Sequence, residues 1–326
     1  MARFLVTDYD FPDLELERGL CREAGMEMKA ARCRTEADVI AAAEGCDGLL
    51  VQYAPVNARV FAAHPRIRIV SRYGAGFDTI DTEDAKRFGV WVANSPDYGV
   101  GEVATHALGM ALALLRHLAL YDRDVKAGRW HYASAGPIRR ASDMTLGLLG
   151  LGRIGKRMAH VGRNCFARVI ACDPYIIDGD FPAYVARTTL EELFAQSDVV
   201  SLHVPLTGET RGLVDARLLG LMRQGAVLVN TARGAVVNVE DLVASLESGR
   251  LDGAALDVLP QEPPPAGHAL LSHPRVLLTP HAAFYSLEAE RELRRKAAQN
   301  LVDWARTGRP RYVVVEGRDE RAAAPA

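Results

Sequence analysis

Three side chains in the second half of the sequence have chemistry that fits together, and each stands at a turn after an apolar run. Arg233, in Asn230-Thr231-Ala232-Arg233-Gly234, offers a planar, permanently charged fork for a carboxylate and an adjacent carbonyl oxygen. His281, in Thr279-Pro280-His281-Ala282-Ala283, can give or take a proton near neutral pH. Glu262, in Gln261-Glu262-Pro263, is the acid that would orient His281. Together they suit acid-assisted hydride transfer to a 2-oxo acid, with His281 protonating the oxygen and Arg233 countering the charge that develops on it. Singly, each has a plainer reading: a surface charge, a solvated loop acid before prolines, a structural Pro-His at a strand end. Their joint occurrence downstream of a cofactor fingerprint is what points to chemistry.

A hydride needs a carrier, and residues 145–156 offer a place for one. Leu146 to Leu149 are apolar and glycine-bounded, as a buried parallel strand should be. Gly150, Gly152 and Gly155 follow at G-x-G-x-x-G spacing, the first for a tight turn, the second for close approach of a pyrophosphate, the third for helix packing against the strand. A helix beginning at Arg153 and Ile154 would aim its first amides at the phosphates. The next strand ends in Asp173, 18 residues after Gly155 and near the ~20 expected for a carboxylate that binds the adenosine ribose. The alternative is that Asp173 begins a turn with Pro174.

The elements that must position these residues alternate between strand and helix. Strands are expected at residues 4–7, 48–52, 67–71 and 90–93, with helices at 13–24 and 36–44, which makes a small parallel α/β domain. Tyr73-Gly74-Ala75-Gly76 is a glycine turn whose amides suit a carboxylate, the plainer reading being a strand-to-helix turn capped by Asp78 or Thr79. A turn-rich boundary at residues 94–97 leads into one long helix expected over 100–127. Further strands at 198–203, 226–230, 253–257 and 276–279 bring Asp173, His203, Thr231, Arg233, Asp257 and His281 to the carboxyl edge of one sheet, where ligands of open parallel sheets bind. A helix over 288–307, its Arg and Lys read as a solvated face, precedes a strand at 311–315 that returns to the first domain. Residues 318–326 read as disordered.

Composition narrows the classes. A chain of 326 residues suggests two domains, and its net charge of −2 without a basic block argues against nucleic-acid or membrane-surface partners. Five cysteines without a C-x-x-C pair suggest reduced thiols in a cytoplasmic protein and no metal site. The apolar run at 103–120 is broken by His106, Arg116 and His117, and is expected to be a buried or interface helix rather than a membrane span.

Tyr73 to Asp78, Gly150 to Gly155 with Asp173, Asn230 to Gly234, residues 253–257, Glu262-Pro263 and Pro280 to Ala283 together resemble the D-isomer-specific 2-hydroxyacid dehydrogenases, in order, across residues 48–315. The resemblance implies an α/β fold of two doubly wound parallel-sheet domains. A Rossmann NAD-binding domain, residues 98–282, would be inserted in a flavodoxin-like substrate domain of residues 1–97 plus 283–326. It implies NAD as cofactor, lined by Gly150, Gly152, Arg153, Ile154, Gly155, Asp173, His203, Val204, Pro205, Thr231 and Ala232, with Asp257 near the nicotinamide amide. It implies a small 2-oxo or 2-hydroxy acid as the partner, bound by Arg233, by Tyr73, Gly74, Ala75 and Gly76, and against Phe284, with His281 as acid/base and Glu262 its partner. It also implies a homodimer formed through the helix at 100–127. Gly136 to Arg140 and Ala282 to Ser286 look most like the branch containing the carboxyl-terminal binding proteins, which are transcriptional corepressors, and their bacterial enzyme relatives, although that branch carries Trp where Phe284 stands. The competing reading is therefore an NAD(H)-sensing binding module, against which the complete Arg, Glu and His set weighs. Selectivity for NADP is disfavoured by the charge of Asp173.

Overall fold

The computed structural model describes residues 1–318, so residues 319–326, most of the stretch expected to be disordered, lie outside the described residues. The chain forms two compact units, Met1–Tyr98 with the segment from Ser286 onward, and Gly99–Tyr285. The second boundary falls after Tyr285, later than the expected 282, because the amides of Ala282 and Ala283 are tied to Asp257 within the second unit.

The first unit begins with β1 (Arg3–Val6), α1 (Glu15–Glu23), β2 (Glu27–Ala30), α2 (Glu36–Ala42), β3 (Gly48–Val51), α3 (Ala58–Ala63), β4 (Ile69–Arg72), α4 (Thr82–Phe88) and β5 (Trp91–Ala93). These five strands pair in parallel in the order β2-β1-β3-β4-β5, the flavodoxin-like arrangement. β2 escapes the sequence analysis because Glu-Met-Lys-Ala is a polar edge segment, held by its ladder to β1 rather than by burial. Thr35 and Asp38 form a capping box on α2, and Asp81 caps α4 in place of the expected Asp78 or Thr79.

The second unit opens on helix, with α5 (Val100–Leu115) and α6 (Leu118–Lys126). The single helix expected over 100–127 is broken at His117, whose φ of 49° is left-handed, and the two pieces meet at 58°. Neither proline nor glycine marks the break. His117 lies 3.7 Å from Asp252, a contact made across the unit that local propensity cannot register. Then come β6 (Thr145–Leu149), α7 (Arg153–Gly162), β7 (Arg168–Cys172), β8 (Val185–Arg187), α8 (Leu190–Gln196), β9 (Val199–Leu202), α9 (Ala216–Leu221), β10 (Ala226–Asn230), α10 (Val239–Glu247), β11 (Leu251–Leu256), α11 (Ala269–Ser272) and β12 (Val276–Leu278). All seven strands are parallel, in the order β8-β7-β6-β9-β10-β11-β12, so the topological switch lies between β6 and β9. One face is covered by α5 and α7 through Ala104, Met110, Met158 and Ala159. The other is covered by α8, α9 and α10 through Phe194, Leu218 and Leu242. Burial on both faces explains why these strands read as continuous apolar runs.

The chain then returns to the first unit with α12 (Leu287–Thr307), capped by Ser286, and β13 (Val313–Val315), antiparallel to β5. Not all cations of α12 are solvated. Arg294 is 8% exposed and grips the fully buried Glu17 with two nitrogens, at 2.8 and 2.9 Å, while Tyr73 donates to the same carboxylate at 3.1 Å. Lys296, equally buried, meets Asp97 and Glu292. Removing one partner of such a pair leaves a buried charge uncompensated, a loss of about 3–5 kcal/mol, so these cations belong to the interior.

Candidate active site

The glycine loop leaves β6 with Gly150 at φ 93°, where a Cβ would stand 2.7 Å from the carbonyl oxygen of His203. A Cβ on Gly155 would overlap the carbonyl oxygen of Gly150, so the first and third glycines are fixed by protein packing. Gly152 differs. It caps α7 without a side-chain bond, and a Cβ there would meet nothing within 4 Å. The space above it, facing the unpaired first amides of α7, is open to a phosphate. Asp173 accepts from the Leu151 amide at 2.8 Å through Oδ2 and from the Tyr175 amide at 3.0 Å through Oδ1. The turn-forming alternative is thus realised by one oxygen while the other holds the glycine loop, and each oxygen keeps a lone pair for a hydroxyl donor.

Beside the loop, Val204 packs near Gly150, and the exposed Pro205 accepts from Thr210 through its carbonyl at 2.6 Å. His203 is partly exposed as a residue, but its ring is turned in against Ser201, with Nε2 3.0 Å from Oγ. Burial pushes its pKa from 6.5 to about 4, which leaves the imidazole neutral. Thr231 is buried, and its hydroxyl has no hydrogen-bond partner among the described residues. Buried hydroxyls are ordinarily satisfied. The orphaned Thr231 Oγ1, the open space at Gly152 and the Asp173 carboxylate together fit a dinucleotide.

Asn230 shapes the next turn, accepting from the Ala232 amide at 3.0 Å and donating to the Arg233 carbonyl at 2.9 Å. Arg233 donates to the Ala232 carbonyl at 2.8 Å. Gly234 follows, and a Cβ there would overlap the Leu259–Pro260 backbone. That close approach brings the Arg233 turn against the loop carrying Glu262. Glu262 accepts from the Leu259 amide at 2.9 Å and from His281 Nδ1 at 2.6 Å. Burial would push its carboxyl up, but the hydrogen bond and charge of His281, the Leu259 amide and the Arg233 charge outweigh it and hold the pKa below the ordinary 4.5. Glu262 is therefore ionised, and the imidazole presents Nε2 as the atom free to exchange a proton. The Phe284 ring stands edge-on to His281, with centroids 6.5 Å apart.

Asp257 directly follows β11 and is tied into the turn that follows β12. Its carboxylate, with a side chain only 1% exposed, accepts from Thr279 Oγ1 at 2.6 Å and from the amides of Ala282 and Ala283 at 2.8 and 3.0 Å. It holds the turn that carries His281, and Oδ2, which accepts from the Ala283 amide, keeps a lone pair for a further donor. Asn230, Ser201 and Thr279 were missed by sequence analysis. Asn230 is an asparagine immediately before a turn, which is a readable signal.

In the first unit, the Gly74 to Gly76 loop is pinned by Asn94, which donates to the Ala75 carbonyl at 2.7 Å. Gly74, at φ 138°, leaves room for the Arg72 guanidinium, which a Cβ would overlap. Tyr73 departs from expectation. Its ring is buried, its hydroxyl donates to Glu17 and its amide to Val51, so it serves the core and neither end is offered to a substrate. The amides of Ala75 and Gly76 are not used by the loop's own backbone bonds.

Two tests follow from this geometry. Gly152→Ala should leave thermal stability within a degree or two yet weaken NADH binding at least tenfold, whereas Gly155→Ala should lower Tm; equal NADH affinity in wild type and Gly152→Ala would refute the phosphate role. The second concerns His203, whose pKa is lowered on folding. Below its ordinary value the unfolded chain takes up a proton that the folded chain does not, so stability falls as pH falls, by about 2 kcal/mol between about pH 7 and about pH 5. Urea unfolding should show this slope, flattened in His203→Gln, and an unchanged slope in that variant would count against it.

Residues 108–283 match the family described as D-isomer specific 2-hydroxyacid dehydrogenase, NAD binding domain. The chain is 37% identical over 274 residues to the glyoxylate reductase of Korarchaeum cryptofilum, covering 82% of each. It is 34% identical over 296 residues to the hydroxypyruvate reductase of Thermotoga maritima, covering 90% of this chain and 95% of the relative. Among solved structures it is similar to the D-lactate dehydrogenase of Aquifex aeolicus complexed with NAD and lactic acid, at a TM-score of 0.87 and 25% identity, over 97% of this chain and 100% of the other. The glycine loop, the strand-end constellation and these likenesses agree: the chain belongs to the D-isomer specific 2-hydroxyacid dehydrogenases, NAD-dependent oxidoreductases of 2-hydroxy and 2-oxo acids.

Proposed function

We propose that this enzyme reduces a short 2-oxo acid of the glyoxylate or hydroxypyruvate class to the D-2-hydroxy acid, with His281 as the proton donor. The observation that carries the reading is the 2.6 Å bond from His281 Nδ1 to an ionised Glu262, within reach of the Arg233 charge. The names of the glyoxylate and hydroxypyruvate reductases among its relatives support the substrate class.

The bound cofactor supplies the hydride, to C2 of the oxo acid. Arg233 binds the substrate carboxylate and the carbonyl oxygen, drawing charge toward that oxygen. His281, protonated and oriented by Glu262, releases the Nε2 proton to it, so the C2=O double bond becomes C–H and O–H while the imidazole becomes neutral. Ala75 and Gly76 are assigned a carboxylate-binding role through their amides. Asp173 selects NADH, since its charge would repel a 2′-phosphate. Kinship with the corepressor branch rests only on the segments Gly136 to Arg140 and Ala282 to Ser286, and the complete Arg233, Glu262 and His281 set favours catalysis over a sensing module.

His281→Ala should lower kcat by about 10²–10⁴-fold while NADH binding and Tm persist. Near-normal turnover in that variant would end the assignment. Following NADH consumption across glyoxylate, hydroxypyruvate and phenylpyruvate should show the first two turned over faster, and NADPH used less well than NADH at equal concentration.

A homodimer is proposed through α6 and the segment after it, rather than along all of residues 100–127. α5 turns Val103, Ala107, Met110 and Leu115 into its own unit. Beyond it, Leu118 and Val125 are exposed, and Trp130 and Tyr132 are 86% and 88% exposed. Large apolar side chains so placed suit a protein interface. Light scattering should report a dimer that Trp130→Glu with Tyr132→Glu converts to monomer; a monomeric wild type would sink the proposal.

A further inference from the structure

Behind the His281 turn lies a second histidine that the reaction scheme does not use. His106, on α5, places Nε2 3.0 Å from Thr279 Oγ1 and 3.8 Å from Asp257 Oδ1. Thr279 Oγ1 lies 2.6 Å from the same Oδ1. The direction of each bond follows from proton counting. Asp257 accepts from two backbone amides, as a carboxylate does, so the single Thr279 proton goes to Oδ1. The Thr279 oxygen is then left to accept from His106, which fixes the proton on Nε2.

The line runs from His106 Nε2–H to Thr279 Oγ1–H to Asp257 and so to the amides of Ala282 and Ala283, which flank the turn from its far side. The Asp257 carbonyl accepts from the His281 amide at 2.8 Å. His281 itself sits at φ 54°, a left-handed conformation that a non-glycine residue holds only when its surroundings enforce it. Without a donor at position 106, Thr279 Oγ1 is free to rotate its proton elsewhere, and Asp257 loses the bond that fixes the rotamer from which it grips the turn.

We infer that His106 is a positioning residue for the reaction, acting through Thr279 and Asp257 to hold the His281 imidazole in register with Glu262. This rests on the reading of His281 as the proton donor. His106 touches neither Glu262 nor the reacting atoms, so its effect falls on turnover rather than on cofactor binding.

The test compares His106→Leu, His106→Gln and Thr279→Val in the full-length enzyme, measuring kcat and KM with NADH and the best 2-oxo acid. Turnover is referred to NADH-binding sites titrated by fluorescence, so loss of folded protein does not enter. His106→Leu should lower kcat about tenfold with KM for NADH within about twofold, the size of effect expected when a catalytic group is misplaced without being removed. His106→Gln keeps a donor nitrogen where Nε2 stands and should recover most of the rate. Thr279→Val should match His106→Leu, and combining the two should cost no more than either alone. Wild-type turnover in His106→Leu, or equal losses in the Leu and Gln variants, would overturn the inference. His281→Ala, run alongside, separates the two ideas: if it keeps its activity the reaction scheme fails, and if it is inactive while His106→Leu is normal only the positioning role fails.

Discussion

A histidine held in the left-handed region is the constraint on which the reactive edge of the second unit depends. A non-glycine residue at φ 54° costs about 1–3 kcal/mol. Two amide bonds to the Asp257 carboxylate and one from the His281 amide to the Asp257 carbonyl offset it, since each bond to the carboxylate contributes about 1.5–3 kcal/mol and the one to the neutral carbonyl about 0.5–1.5 kcal/mol. Asp257 can do this because it directly follows β11, and the pairing of Leu256 with Leu278 fixes how far β12 has run when the chain reaches Pro280. Parallel register, a buried carboxylate and a strained turn therefore set the place of one imidazole. Gly234 does the complementary work from β10, since only a residue without Cβ lets the Arg233 turn lie against the backbone that leads to Glu262.

What could be read from sequence was what short-range pattern encodes. The apolar runs of β6, β9 and β10 are buried on both faces and declare themselves, and the spacing of Gly150, Gly152 and Gly155 carries its own mechanism. β2 and β8 were missed because a three- or four-residue edge strand with exposed polar positions has too little pattern to detect. The break at His117 and the burial of Arg294 and Lys296 were missed for a different reason: each depends on a partner more than 100 positions away, Asp252, Glu17 and Asp97. In the site, the titratable groups at strand ends could be named from the sequence. Of the uncharged residues that hold them, Asn230 stands before a turn that the sequence makes readable, whereas Thr279 could not be assigned from residue type alone, because a strand-end Thr is commonplace. Tyr73 shows the opposite failure. A tyrosine next to a glycine loop invites a ligand role, yet its hydroxyl completes the Glu17 and Arg294 pair.

In the proposed assignment, Asp173 serves fold and cofactor choice at once. By holding the Leu151 amide it keeps the glycine loop closed on β7, and by holding the Tyr175 amide it turns the chain away from the sheet. Replacing it to admit a 2′-phosphate would remove both bonds, so a change of cofactor preference at this position also has to rebuild the loop.

On the scheme proposed above, the charges of Arg233, Glu262 and His281 each have a part beyond protonation of the oxygen. Before reduction, Arg233 and a protonated His281 carry two positive charges and Glu262 one negative, a net +1 against the single negative charge of the substrate carboxylate. After proton transfer the three would sum to zero, and the hydroxy acid would keep its negative charge. The charge on the three side chains would thus fall from +1 to zero as the substrate takes up the proton, while Arg233 stays as the fixed positive group beside the oxygen where charge develops. In that scheme Glu262 supplies the negative charge that balances the protonated imidazole. The lowered pKa of its carboxyl means that it remains ionised while His281 cycles, and the His281 bond that lowers it is the bond that aims the imidazole. Orientation and charge balance are thus supplied by one contact, and a neutral amide in its place would keep part of the first while losing the second.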